Sequence, residues 1–299
     1  SVQPLSELEV KAELLYNRIP FSKILFMINL SLGVLSFLLL LHNSLQRNIL
    51  SLKAKTISRT AGTIFSVALY LAFIFHLAGY CLRWYIGGRI PLSNGYETMQ
   101  FMALCILLIA CLLHRRFSFI LPFGFLLSGF ALLVSYLGQM NPQITPLMPV
   151  LVSPWLSIHV SLIMMSYALL AFIMLNGILA LCLRKKESEN NVSGNDAIQD
   201  NRIEQLTLVS RLLLYPATFF LGAGIFLGAV WANVSWGRYW AWDPKEVWAL
   251  ITFLVYGVAF HSQSLRIFRK PLFFHIYMIL AFLTVLMTYF GVNYVLGGM

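Results

Sequence analysis

The chain has 299 residues, 59% of them hydrophobic and 11% charged, with a mean hydropathy of +0.79. A soluble domain carries about 25% charged residues, so these values exclude a soluble globular protein and predict a polytopic membrane protein, an all-α helical bundle. The net charge of +10 comes from basic residues gathered at the ends of apolar runs rather than on one face, which argues against nucleic-acid binding.

Residues 1–23 form an N-terminal segment whose start is polar and lacks a signal-peptide pattern. It also lacks an initiator Met, so a fragment or a processed product is expected. Leu8, Ala12, Leu15 and Ile19 fall at helical spacing. They predict a short amphipathic helix on the outer membrane surface, although a helix packed on an upstream domain reads the same way. Residues 24–299 form the transmembrane domain. Eight apolar runs long enough to span are expected at 24–41, 61–82, 98–113, 117–137, 159–183, 212–230, 249–264 and 272–291. Residues 184–205 are polar and mixed in charge, and predict a mobile cytoplasmic loop with a helical restart near Ile203. Cys81, Cys105, Cys111 and Cys182 lie in or beside apolar runs with no CxxC spacing, and read as small buried hydrophobes.

Lys and Arg fix the expected orientation. Alternate connections hold fourteen basic residues against seven. The richer set is cytoplasmic, which puts both termini outside and all seven tryptophans on the outer side. Five of the seven lie in residues 231–248: Trp231, Trp236, Trp240, Trp242 and Trp248. An interfacial aromatic belt accounts for one or two per loop, not for five in one loop and none on the inner face. A surface so rich in indole suits a large, flat, apolar ligand, and a tetrapyrrole fits that description.

Neutral imidazole is the usual protein ligand of haem iron, with its second nitrogen fixed by a partner. Among six histidines, His159 stands out. It follows Pro154 and Trp155 where the long outer connection 138–157 enters the fifth span, level with the tryptophan loop. Iron ligand and plain interfacial histidine are both open readings. His261, late in the seventh span, and His76, in the outer half of the second, are ionisable groups inside the bilayer and so functional candidates. His42, His114 and His275 sit at inner helix ends and read as interfacial anchors. Arg83, Arg89, Arg238 and Lys245 are the outer cations after the first span. They can pair porphyrin propionates or the outer acids Glu97, Asp243 and Glu246. Asp243-Pro244 also reads as a helix N-cap with Pro in the first turn.

The string from Trp231 through Trp236-Gly-Arg-Tyr-Trp240-Ala-Trp242-Asp243-Pro-Lys-Glu-Val-Trp248 resembles the WWD domain of haem-handling proteins in cytochrome c biogenesis. Within that group the chain is most similar to the CcsA (ResC) family of system II. Arg83-Trp-Tyr, Pro91-Leu-Ser-Asn-Gly-Tyr-Glu97 and Met287-Thr-Tyr-Phe-Gly-Val-Asn-Tyr294 also match, and the likeness runs from about Gly62 onward.

The resemblance implies a protein of the bacterial inner membrane, or less readily of the thylakoid. Such a protein holds haem b at the outer face and attaches it to the CxxCH thiols of apocytochrome c, with a thiol reductant system. It implies cofactor contacts from Trp155, Trp231, Trp236, Trp240, Trp242, Asp243, Arg83, Arg238 and Lys245. It also implies that His159 is the first external iron ligand and His261 the membrane ligand, with His76 a weaker candidate beside it. A second external histidine is expected just beyond Met299. The segment from Glu9 to Asn17 resembles the junction of fused CcsB–CcsA proteins, which implies a split or processed half working with a CcsB (ResB)-like partner. No side chain is expected to act as a catalytic acid or base. Rival readings are a haem exporter or chaperone without attachment activity, and a transporter of another amphipathic solute.

Overall fold

The computed structural model describes residues 7–45, 52–137, 142–144, 153–183, 194–262 and 264–296, all of which are helical or connecting. In chain order the α-helices are α1 (Glu7–Arg18), α2 (Phe21–Leu45), α3 (Leu52–Gly87), α4 (Gly95–Leu113), α5 (Ile120–Leu137), α6 (Pro154–Leu183), α7 (Gly194–Trp236), α8 (Pro244–Val258) and α9 (Pro271–Leu286). Seven of them, all but α1 and α8, are long and apolar enough to cross a membrane. The chain is a polytopic membrane helical bundle, as its composition predicts.

The expected span at 249–264 differs from the helix found there. That helix runs from Pro244 to Val258, 15 residues, and ends in a single 3-10 turn, Ala259–His261. At about 1.5 Å per residue it reaches roughly 22 Å, short of a hydrocarbon core of about 30 Å. Its early start has a local cause. The Asp243 side chain accepts from the Lys245 and Glu246 amides, Glu246 reaches back to the Asp243 amide, and Pro244 occupies the first turn. The restart expected near Ile203 comes earlier, because α7 is helical from Gly194; residues 184–193 of the predicted loop lie outside the described residues.

The chain divides into two compact units, Ser1–Leu151 and Val152–Met299, a boundary that the apolar pattern does not reveal. In the first, α2 to α5 run alternately up and down. Ser22 at the start of α2 meets Tyr96 and Gln100 at the start of α4, and Gln100 meets Ser135 near the end of α5. At the opposite end Tyr70 of α3 meets His114 after α4, at 3.0 Å. Burial, and secondarily the charge of Arg115, hold the His114 pKa below its ordinary value. Helix α1 buries none of its residues, and Leu8 and Leu15 stay exposed.

In the second unit α6, α7, α8 and α9 also alternate in direction. His159 near the start of α6 meets Gly224 towards the end of α7. Phe260, just past α8, meets Tyr215 in the first half of α7. His275 near the start of α9 meets Thr207, and Thr288 past its end meets Thr252 of α8. His275 is fully buried, which corrects its reading as an interfacial anchor: α6 and α7 cover the face that hydropathy left open.

Candidate functional site

The tryptophan segment is less a loop than a tight turn between two helices. Trp231 and Trp236 belong to the last turns of α7, and Trp248 lies one turn into α8. Gly237, with φ 74°, ends α7 by donating its amide to the Asn233 carbonyl at 2.8 Å. Trp242 holds φ 59°, a left-handed conformation that costs a bulky residue on the order of 1–2 kcal/mol. That backbone turns its indole outward, and Trp242 is 73% exposed. Trp236 and Tyr239 are each 60% exposed. Trp231 packs edge-on to Trp236 at 4.8 Å, and Trp240 edge-on to Trp242 at 5.9 Å. The Trp240 Nε1 is buried without an acceptor among the described residues.

His159 faces this turn from α6. Its Nδ1 lies 2.6 Å from the Gly224 carbonyl. A carbonyl only accepts, so Nδ1 carries the proton, and Nε2 is left as the nitrogen with a lone pair. This is how metal-binding histidines are usually oriented. The contact depends on glycine. A Cβ on Gly228 would stand 2.7 Å from both Cε1 and Nδ1 of the ring, and one on Gly224 would stand 2.7 Å from Ile163. Gly224, Gly228 and Trp231 share one face of α7, while Trp155, His159 and Ile163 share one face of α6. The two faces meet, so the imidazole lies within a turn of Trp231 and a turn of the half-exposed Trp155.

The Trp248 carbonyl accepts from Thr252 at 2.8 Å and from Thr288 at 3.2 Å. Thr288 comes from the π-helical stretch Met287–Leu296 that follows α9, a geometry that recurs at functional sites.

The outer cations fall into two groups. Arg83 is buried and committed. Its Nε and Nη2 donate to Glu97 Oε1 at 3.1 and 2.9 Å, its Nη1 donates to Tyr16 and the Pro142 carbonyl, and its Nη2 also donates to the Gln143 carbonyl. Arg89 pairs the other Glu97 oxygen at 3.1 Å. Every guanidinium N–H of Arg83 is thus engaged within the first unit, so of its two open readings, propionate and outer acid, the structure shows the pairing with the acid Glu97. In contrast, Arg238 and Lys245 are exposed and have no side-chain partner among the described residues. Their two candidate acids, Asp243 and Glu246, are held in the capping box.

His76 gives Nε2 to the Gln100 carbonyl at 2.8 Å. It lines a cavity of about 10 Å³ with Tyr16, Ser22, Arg83 and Gln100, the room of roughly one water molecule. That cavity has no room for a porphyrin. His261 is exposed in the turn after α8. Because Phe260 beside it packs tilted against Tyr215 at 5.1 Å, it lies roughly 16 Å along α7 from the level of His159. The two imidazoles belong to separate levels of one unit and do not share one iron.

Sequence reasoning missed Gly224 and Gly228. Their i, i+4 spacing at the end of α7 is the small-residue signature of a close helix approach, and it is visible without coordinates. The cytochrome c assembly protein family model matches residues 92–299. The chain belongs to the cytochrome c assembly protein family. It is 36% identical over 298 residues to NrfI of Wolinella succinogenes, covering 98% of this chain and 31% of that protein. Against CcsA of Chlamydomonas reinhardtii it is 37% identical over 229 residues, 73% of this chain and 62% of that one. Against CcsA of a Prochlorococcus marinus strain it is 31% identical over 298 residues, 88% and 90% of the two chains. The chain therefore spans about a third of NrfI and about three fifths of the Chlamydomonas protein. The likeness to CcsA read from residues 231–248 is borne out.

Proposed function

We propose that the chain serves cytochrome c biogenesis by holding haem b as its substrate at the turn 237–243 and presenting it for thioether attachment to apocytochrome c. One observation supports this reading above the others. His159 is tethered through Nδ1, so its Nε2 keeps the lone pair that an iron takes, on a ring packed one turn of α7 from Trp231. Trp231, Trp236, Trp240 and Trp242 are the aromatic walls for the macrocycle. Arg238 and Lys245, free of acids, take its two propionates. Asp243 sets the turn by capping α8 rather than by touching the ligand.

In the reaction each of two reduced cysteine thiols adds across a haem vinyl group. A carbon–sulfur bond forms at one vinyl carbon, the thiol proton passes to the other, and no electrons are lost. The chain's part is positioning, which supplies a large share of such a barrier, and shielding of the iron. A CcsB-type partner and a bacterial inner membrane, with the site on the outer face, complete this reading.

Purified protein should show the absorption of imidazole-ligated haem, and His159→Gly should lose it together with cytochrome c maturation. Unchanged haem content in that variant would refute the ligand assignment. Reconstitution with haem, a CxxCH peptide, a reductant and the partner should yield a thioether product. Haem loading without product would favour an exporter, and no haem at all a transporter of another amphipathic solute.

A further inference from the structure

Three buried hydroxyls of the second unit, those of Tyr167, Thr252 and Thr288, converge near the start of α8. Thr252 and Thr288 lie 3.0 Å apart. Thr252 donates to the Trp248 carbonyl at 2.8 Å. Thr288 shares its proton between the Thr284 carbonyl at 2.7 Å and the Trp248 carbonyl at 3.2 Å. The Tyr167 hydroxyl, from α6, hydrogen-bonds Thr288. Each threonine thus bonds the carbonyl four residues behind it, a contact that adds little to a helix and tends to bend it. Burying hydroxyls also costs free energy that apolar side chains avoid. What they supply is direction, because a satisfied polar network rigidifies its surroundings and selects one arrangement.

The elements joined here are those that build the tryptophan site. His159, Ile163 and Tyr167 follow at i, i+4 and i+8 on one face of α6. Helical side chains lean towards the N-terminus, which in α6 is the end that carries His159. Trp248 closes the tryptophan string one turn into α8, the helix that starts where the turn 237–243 ends. Thr288 stands where α9 gives way to the π-helical stretch Met287–Leu296. A line of hydrogen bonds therefore runs from the His159 face of α6 through Thr288 to Trp248.

We propose that Thr288 is a positioning residue for haem: its hydroxyl sets the spacing between α8, which carries the tryptophan turn at its head, and the face of α6 that carries His159. The proposal rests on the haem-handling reading above. Thr288 acts at a distance, through the Trp248 carbonyl on one side and Tyr167 on the other. Apolar contacts alone would let these helices slide, whereas a hydrogen bond fixes both distance and angle. A misplacement of about 1 Å can cost 100-fold in a positioned reaction, so a hydroxyl that holds this spacing has a long lever.

The full chain in lipid nanodiscs is titrated with haem and followed by its Soret absorption, for wild type, Thr288→Val and Thr288→Ser. Melting temperatures are read on the same samples. Valine keeps the branch and loses the hydroxyl, whereas serine keeps the hydroxyl. Thr288→Ser should match wild type in affinity and Soret position. Thr288→Val should bind haem about fivefold more weakly, the factor that one lost hydrogen bond implies, with a displaced Soret band. A packing role would move the melting temperature and leave the spectrum of bound haem alone. Wild-type affinity and spectrum in Thr288→Val therefore overturn the proposal, whatever the stability. So does a Thr288→Ser variant that behaves like Thr288→Val. Should Thr288→Val fail to accumulate, Tyr167→Phe breaks the same line from the α6 side, and wild-type haem binding there overturns the proposal equally. Wild type that takes up no haem refutes the haem-handling reading and this one with it, whereas haem bound alike by every variant refutes the positioning role alone.

Discussion

Gly228→Ala separates ligand geometry from stability more cleanly than any change at the histidine itself. The added Cβ would stand 2.7 Å from Cε1 and Nδ1 of His159, against an ordinary contact of 3.4 Å or more. The ring must retreat by about 0.7 Å, because the Cβ is fixed to a helical backbone. If the ring moves straight away from the carbonyl, that retreat lengthens a 2.6 Å bond to the Gly224 carbonyl to about 3.3 Å, the weak edge of the usual range, which costs up to about 1 kcal/mol. Loss of the partner that orients a metal-bound histidine typically costs 10- to 100-fold in ligand affinity. Replacing a mid-helix glycine by alanine gains up to about 1 kcal/mol in helix propensity. The two stability effects nearly cancel, and the expected result is a normally abundant protein with weakened haem binding. Haem titration by absorption, alongside the melting temperature in detergent, reads both quantities. Wild-type haem affinity in Gly228→Ala would refute the seat built from Gly224 and Gly228. A collapse in melting temperature would refute the claim that the contact serves the ligand more than the fold.

Glu97→Gln should be severe for a different reason. It leaves Arg83, only 2% exposed, without a counter-charge, and breaking such a pair costs about 3–5 kcal/mol; a melting curve like wild type would contradict the buried pair. Trp242→Gly relieves the left-handed backbone and should raise stability by about 1 kcal/mol while lowering haem retention. A fall in both stability and retention would show that the indole is a packing element. Asp243→Asn keeps a good N-cap, whereas Asp243→Ala loses about 1 kcal/mol of it. Maturation should therefore survive the first and decline in the second, and equal loss in both would assign the carboxylate a role beyond capping. Exchanging Arg238 and Lys245 together for Gln should weaken haem binding and flatten its salt dependence, whereas Arg83 variants should lose folded protein instead.

Composition and hydropathy determined that this is a helical membrane protein, because a chain with 11% charged residues has little to place against water and each long apolar run is self-sufficient in backbone hydrogen bonds. The tryptophan string carried the resemblance to the family that the match over residues 92–299 bears out, because a motif confined to one turn survives in sequence alone. The Asp243-Pro244 cap was legible as well, because capping is local.

Decisions that depend on partners distant in sequence were not legible. Arg83 and Arg238 look alike as outer cations, but only folding brings Glu97 and Tyr16 to one of them. His275 looked like an anchor until α6 and α7 covered it. The tautomer of His159 came from a carbonyl 65 positions away, reachable because two glycines let the helices touch. Periodicity reports which residues leave water, whereas close approach and charge pairing are properties of the surfaces that meet, and these only the tertiary structure decided.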